Sequence, residues 1–264
     1  LLAVPFFMLA GEIMNVGGLS RRIVELALSV VGHVRGGLGY VTIMAGCLLA
    51  ALSGSAVADA AALTALLLPM MVKAGHDRAR SGGLIAATGI IAPVLPPSIG
   101  LIIFGVAANV SISKLFMAGI APGLMIGAAL WFTWWWLVRK ETIVPPPRQP
   151  RAVVIKALRD SAWALMLPVI ILVGLRMGVF TPTEAAVVAA MYALFVSTVV
   201  YRELKLRQLY AIFVSAARTS AVVMLLVAAA MVAAWLITVA DLPGAVIDPV
   251  SYTHLRAHET PEHL

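Results

Sequence analysis

The chain has 264 residues, of which 62% are hydrophobic and only 12% charged, with a formal net charge of +7. A soluble domain carries roughly 25% charged residues, so this composition, with a mean hydropathy of +1.01, excludes an ordinary soluble enzyme and predicts an all-α polytopic membrane protein. The basic residues lie in short connections between apolar spans, the pattern of positive-inside topology, which argues against a nucleic-acid surface.

Spans are read by length, since about 20 apolar residues cross the hydrocarbon core. Residues 1–14 read as the tail of one span. The chain opens without methionine inside this apolar run, as the cut end of something longer would, and no signal peptide is visible. Residues 19–32 alternate Arg21, Arg22 and Glu25 with apolar positions, which suits a helix lying at the interface. Residues 38–52 are apolar and carry Cys47, the one cysteine, read as a small packing residue. They run into Ser53-Gly54-Ser55, and residues 56–72 resume as helix. Residues 82–95 reach a second break at Pro96-Pro97, and 98–110 continue beyond it. Residues 114–138 form the clearest span, ending in Trp131, Trp134, Trp135 and Trp136 before Arg139 and Lys140, an interfacial anchor.

Residues 139–160 read as a basic, Pro-rich cytoplasmic linker between two halves. Residues 161–180 and 183–200 are two further spans, which return the chain to the same side at Arg202, Lys205 and Arg207. Residues 208–218 are amphipathic, and 219–240 form the last span. The domains expected are a first repeat over 1–138, the linker, an incomplete second repeat over 161–250, and a non-native tail over 251–264. That tail holds His254, His258 and His263 but no periodicity, and it resembles translated sequencing-adaptor sequence rather than a metal site. A weak internal echo supports the repeat: Ser53-Gly54-Ser55 and Thr181-Pro182-Thr183 each open an alanine-rich helix.

Three constellations carry chemistry. At Ser53, Gly54 and Ser55 a glycine frees backbone carbonyls and two hydroxyls add oxygens, the ligand type a Na⁺ ion takes. Close packing through small residues explains the same composition equally well. Asp59 weighs toward function, because an ionisable group inside a membrane domain is costly. At Pro93, Pro96, Pro97 and Ser98 the double proline removes two amide donors, so the helix breaks, beside a transport path or as a structural kink. Thr181, Pro182, Thr183 and Glu184 read either as a second ion or substrate loop or as a capping box, Thr-x-x-Glu. Glu12, Asn15 and Asn109 are weaker candidates. No His-Glu-x-x-His, nucleophile-elbow or Walker pattern occurs, so neither catalysis nor ATP-driven transport is expected.

These residues, in this order, resemble the large membrane subunit (DctM type) of tripartite ATP-independent periplasmic, or TRAP, transporters. The resemblance rests on Pro5 through Gly11, Leu52 through Ala62, Ala74-Gly75-His76-Asp77, Pro93 through Gly100, Ala118 through Gly123 and Phe180 through Ala186. It implies an elevator-type transporter built from inverted repeats with broken or re-entrant helices. It also implies Na⁺-coupled uptake of organic acids across the bacterial inner membrane, with a periplasmic binding protein and a small membrane subunit as partners and no bound cofactor. Ser53, Gly54 and Ser55 would then sit in the first broken element, Pro96-Pro97-Ser98 would break its partner helix, and Thr181 and Thr183 would belong to the second repeat. A proline-broken helix of that second repeat would fall after residue 250, so the chain is expected to be a truncated fragment. A carboxylate carrier without a binding protein and a non-transporting membrane scaffold are the competing readings.

Overall fold

The computed structural model describes residues 2–139 and 145–241, and these are helical apart from turns, short connections and the irregular segment 145–150. The tail over 251–264, with its three histidines, lies outside the described residues, as do Lys140 and residues 141–144 of the linker and the end of the second repeat. Residues 1–220 form one compact unit.

α1 (Ala3–Val16) and α2 (Leu19–Val31) meet at Gly17-Gly18 with a bend of 63°. Gly18 takes φ +79°, a left-handed conformation open to glycine at little cost. α2 buries Leu19, Ile23, Val24, Leu26 and Ala27 and leaves Arg21 and Glu25 outward, so its amphipathic pattern is real. Its apolar stripe packs on α3 (Gly37–Ser53) and α8 (Arg151–Arg176). α3 is apolar all round and mostly buried, as a core helix must be.

α4 (Ala56–Lys73) buries one stripe only: Asp59, Leu63, Leu67 and Met71. The spacing is four residues at every step, so the carboxylate continues a core-facing row and turns away from lipid. α5 (Arg78–Gly89) begins at the Asp77 cap and stops at Gly89, earlier than the sequence suggested. Pro93 disfavours helical geometry in the residue before it, and residues 90–97 form turns before α6 (Ile99–Ala107) begins at the Ser98 cap. Asn109, with φ +54°, ends that segment as a turn residue.

α7 (Ile112–Val138) buries Phe116, Gly119, Gly123, Gly127, Trp134 and Val138 along one face. Trp134 therefore departs from the interfacial role read from the sequence. It is 1% exposed, and its Nε1 donates to the Gly36 carbonyl at 2.9 Å. It lies seven residues beyond Gly127, on the same buried face, whereas Trp131, Trp135 and Trp136 are exposed. The Arg139 guanidinium stacks 3.8 Å from the centroid of the Trp135 ring.

α8 starts at Arg151, ten residues earlier than the span read from sequence, because nothing between Pro150 and Ser161 breaks a helix. The C-terminal part of the proposed linker is thus helix. α9 (Pro182–Phe195) passes into a π-helical turn, Val196–Val200. α9 packs chiefly on α1, pairing the first half of the chain with the second. α10 (Leu206–Val239) is one continuous helix, joining the amphipathic stretch and the last apolar span into one element. Within residues 1–220 it is tied to α1 by Ser215, whose Oγ donates to Glu12 Oε1 at 3.1 Å. Beyond Ser220 the helix runs on with Leu225, Leu226 and Trp235 exposed, as lipid-facing side chains are.

α4, α7, α8, α9 with its π turn, and α10 are each long and apolar enough to cross a membrane. α1 with α2 makes a bent pair, and α3 is apolar but shorter. The protein is an all-α, multi-pass membrane protein.

Candidate functional site

The first break is built by three neighbours in sequence. α3 ends where Gly54 takes φ +60°, and its N–H returns to the Ala50 carbonyl at 3.2 Å. Ser53 Oγ accepts the Ser55 N–H at 3.1 Å, and Ser55 Oγ accepts the Ala58 N–H at 3.4 Å as the cap of α4. The hydroxyls thus satisfy amides that the break frees, the condition for non-helical backbone at membrane depth.

The second break repeats this logic. Ser98 is fully buried; its Oγ donates to the Pro93 carbonyl at 2.6 Å and accepts the Leu101 N–H at 3.3 Å. The Pro96–Pro97 peptide is cis. Pro96, Pro97 and Ser98 are all buried.

Tertiary packing brings the two breaks into contact. A Cβ on Gly54 would lie 2.6 Å from the Pro97 carbonyl oxygen and 3.2 Å from Ser98 Cα. Only glycine admits that approach as well as the positive φ. Gly11 of α1 backs the same corner, its Cβ position 3.6 Å from Ser53 Cβ. The junction therefore joins the C-terminal end of α3 to the N-terminal ends of α4 and α6. Carbonyl ends carry partial negative charge and amide ends partial positive charge.

Asp59 enters this junction from the first turn of α4. It is 2% exposed, and Ser53 Oγ donates to its Oδ1 at 2.6 Å. Its Oδ2 is buried with no hydrogen-bond partner among the described residues. A buried carboxylate oxygen left without a donor costs more than a hydrogen bond contributes; His33 Nδ1 and Ser197 Oγ are the other buried polar side-chain atoms without a partner among the described residues. Among the described residues no group of three or more His, Cys, Asp or Glu could hold a metal ion. A cation here would be held by a single carboxylate with hydroxyl and backbone oxygens.

Ser53, Gly54, Ser55, Asp59, Pro96, Pro97 and Ser98 thus form one cluster. Thr181 and Thr183 do not share a hydrogen bond with it among the described residues. Thr181 is exposed and caps α9: its Oγ1 accepts the Glu184 N–H at 3.3 Å, and Glu184 Oε2 accepts the Thr181 N–H at 2.8 Å. That is the capping box, complete. Of the weaker candidates, Glu12 is tied to Ser215, and Asn15 Oδ1 accepts the Ser20 hydroxyl at 2.6 Å.

One feature escaped the sequence reading. Gly119, Gly123 and Gly127 form a flat stripe on α7, against which the second break lies. Cβ positions at Gly119 and Gly123 would meet the Val94 carbonyl oxygen at 2.4 Å and Leu95 Cδ1 at 2.8 Å. The signal was present as a four-residue glycine spacing, the pattern that lets membrane segments approach closely.

Comparison with known proteins agrees with this architecture. The DctM component of the tripartite ATP-independent periplasmic transporters matches residues 1–258 as a family. The 2,3-diketo-L-gulonate TRAP transporter large permease protein YiaN of Escherichia coli K12 is 58% identical over 248 residues, covering 94% of this chain and 58% of that protein. The sialic acid TRAP transporter large permease protein SiaM of Vibrio cholerae is 43% identical over 94% of this chain and 58% of its own length. The C4-dicarboxylate TRAP transporter large permease protein DctM of Pseudomonas aeruginosa is 37% identical over 93% and 58% respectively. The chain thus spans somewhat under two thirds of the length of these relatives. With the family match running over nearly the whole sequence, the chain belongs to the DctM family of TRAP transporter large permease components.

Proposed function

We propose that this chain is part of the large permease subunit of a Na⁺-coupled transporter that imports organic acids across the bacterial inner membrane. The proposal extends to elevator-type movement, a periplasmic binding protein that delivers the substrate, and a small membrane subunit that completes the assembly. The relatives named above, for diketogulonate, sialic acid and C4-dicarboxylates, share a carboxylate as substrate chemistry and support an organic acid without naming one.

The observation that carries the ion coupling is the buried, unpartnered Oδ2 of Asp59 beside the meeting of two helix breaks. Asp59, the Ser53 and Ser55 hydroxyls and the carbonyls freed at the end of α3 supply hard oxygen ligands for a Na⁺ ion. The amide ends of α4 and α6 turn partial positive charge toward the same junction, which favours an anionic group there. Binding a cation and a carboxylate at one junction gives each a reason to raise the affinity of the other, which is the thermodynamic content of coupling. A transporter that releases its cargo only when the ion also leaves needs such mutual dependence.

The test is uptake by the full-length parent protein with its small subunit in proteoliposomes. Uptake that requires both an inward Na⁺ gradient and the binding protein is the expected result. Uptake of free substrate without the binding protein would replace this reading with that of a self-sufficient carrier. Uptake driven by a proton gradient with no Na⁺ would overturn the ion assignment. No uptake of any carboxylate under either gradient would favour a scaffold.

A further inference from the structure

A cleft of about 460 Å³ lies between α2, α8 and the segment that follows the π turn. Arg21, Arg22 and Glu25 come from α2, Arg159 and Asp160 from α8, and Glu203 from the third wall. Trp163 and Tyr201 complete its lining. It belongs neither to the junction of the two breaks nor to any step proposed for transport.

Its depth follows from its own sequence. α8 carries Arg151, Lys156, Arg159 and Asp160 in its first ten residues and then turns apolar from Ser161 to Gly174. The polar-to-apolar boundary therefore falls at Asp160. Trp163, one turn further in and 45% exposed, sits where interfacial tryptophans sit. The third wall changes at the same level, from apolar Val199 and Val200 to Tyr201, Arg202 and Glu203. The Tyr201 hydroxyl donates to the Asp160 carbonyl at 2.7 Å and aligns the two boundaries. The cleft thus opens where both walls pass from polar to apolar sequence, the kind of boundary at which lipid head groups lie.

Its charge is balanced and partly unused. Arg22 is committed: its Nη2 lies 2.8 Å from Glu203 Oε1, and its guanidinium stacks 3.7 Å from the Tyr201 ring centroid. Arg21 pairs along its own helix with Glu25 at 3.0 Å, where both side chains remain exposed. Arg159 and Asp160 are exposed, and neither side chain makes a hydrogen bond or ion pair among the described residues. One free cation and one free anion, adjacent in a neutral cleft, are the complement of a zwitterion.

We infer that this cleft holds the head group of phosphatidylethanolamine, with Arg159 donating to the phosphate and Asp160 accepting from the ammonium. An anionic head group such as phosphatidylglycerol brings no cation to Asp160, the one carboxylate of the cleft that Arg21 and Arg22 leave unpaired. A choline head group has no N–H to give Asp160. A guanidinium forks onto phosphate oxygens, and charge-assisted bonds of this kind are the strong ones.

The experiment is native mass spectrometry of the full-length subunit titrated separately with dioleoyl phosphatidylethanolamine, phosphatidylglycerol and phosphatidylcholine. Phosphatidylethanolamine is expected to be retained about tenfold more tightly than either, the scale of one charge-assisted hydrogen bond. Arg159→Gln with Asp160→Asn should erase that preference, while Arg148→Gln with Lys156→Gln, outside the cleft, should leave it intact. Arg21→Gln with Glu25→Gln tests the α2 wall if the first pair of changes impairs folding, and a lowered preference is expected. Equal retention of the three lipids, tightest retention of phosphatidylglycerol, or a preference that survives both cleft variants would overturn the inference. The small subunit, added to the lipid-bound protein, should leave the lipid in place; displacement of one lipid per subunit bound would assign the cleft to a protein partner instead.

Discussion

Two helix starts in this protein use the same local chemistry to different ends. At Ser55 and at Thr181 a hydroxyl caps an alanine-rich helix, and an acidic side chain stands in the first turns. Glu184 folds back onto its own cap, where its carboxylate is exposed and its Oε2 accepts both the N–H and the hydroxyl of Thr181. Asp59 instead lies one residue deeper on its helix, 2% exposed, with one oxygen on Ser53 and the other without a donor among the described residues. A carboxylate three residues after the cap can close a capping box. Four residues after it, the side chain instead joins the row of Leu63, Leu67 and Met71 and is carried inside. One residue of spacing separates a structural cap from a candidate ion ligand.

Changing the two acids should separate them most sharply. In the full-length protein, Asp59→Asn should abolish the dependence of uptake on Na⁺, whereas Glu184→Gln should leave it unchanged. Equal behaviour of the two variants in gradient-driven uptake would erase the distinction. Gly54→Ala comes next. The new Cβ meets both a positive φ and the Pro97 carbonyl, and strain of this kind costs about 1–3 kcal/mol, visible as a lowered Tm. An unaltered Tm would mean that the two breaks are not locked together as described.

Ser53→Ala should act on ion binding more than on folding. It removes a hydrogen bond to a carboxylate, a contact of about 1.5–3 kcal/mol, which corresponds to about 10- to 100-fold in Na⁺ affinity. The Na⁺ concentration giving half-maximal uptake is the readout, and a value within twofold of the parent would remove Ser53 from the site. The smallest effect belongs to the second start. Thr181→Ala should cost about 1 kcal/mol through the lost cap and leave the Na⁺ response as it was. A Tm measurement paired with uptake separates these, and a changed Na⁺ response would restore Thr181 to the transport path.

Most of the membrane architecture was legible because the hydrocarbon core constrains length and polarity directly. The apolar runs, the two breaks and the basic connections follow from composition in windows of about 20 residues. The departures have local causes. Pro93 ends α5 before the double proline, and the absence of a breaker after Pro150 lets α8 extend into the segment whose composition reads as a linker. Trp134 was legible only from its phase on α7. Four tryptophans near one end are alike in sequence, and the buried glycine face sets one apart from the other three.

The sequence by itself determined that the chain crosses a membrane, that its helices must break at Gly54 and at Pro96-Pro97, and that hydroxyls stand ready at each break. Those properties depend on neighbours along the chain: a missing amide, a permitted φ, a cap within hydrogen-bond reach. Only the tertiary structure decided that the two breaks touch, that Asp59 faces their junction, and that Thr181 spends its hydroxyl on its own capping box. Contact between residues 54 and 97 depends on how α3, α4 and α7 pack, including the bare glycine face on α7 that supports the second break. Helix packing joins residues without regard to their separation in the chain, so the pattern along the chain could nominate the oxygens but not bring them together.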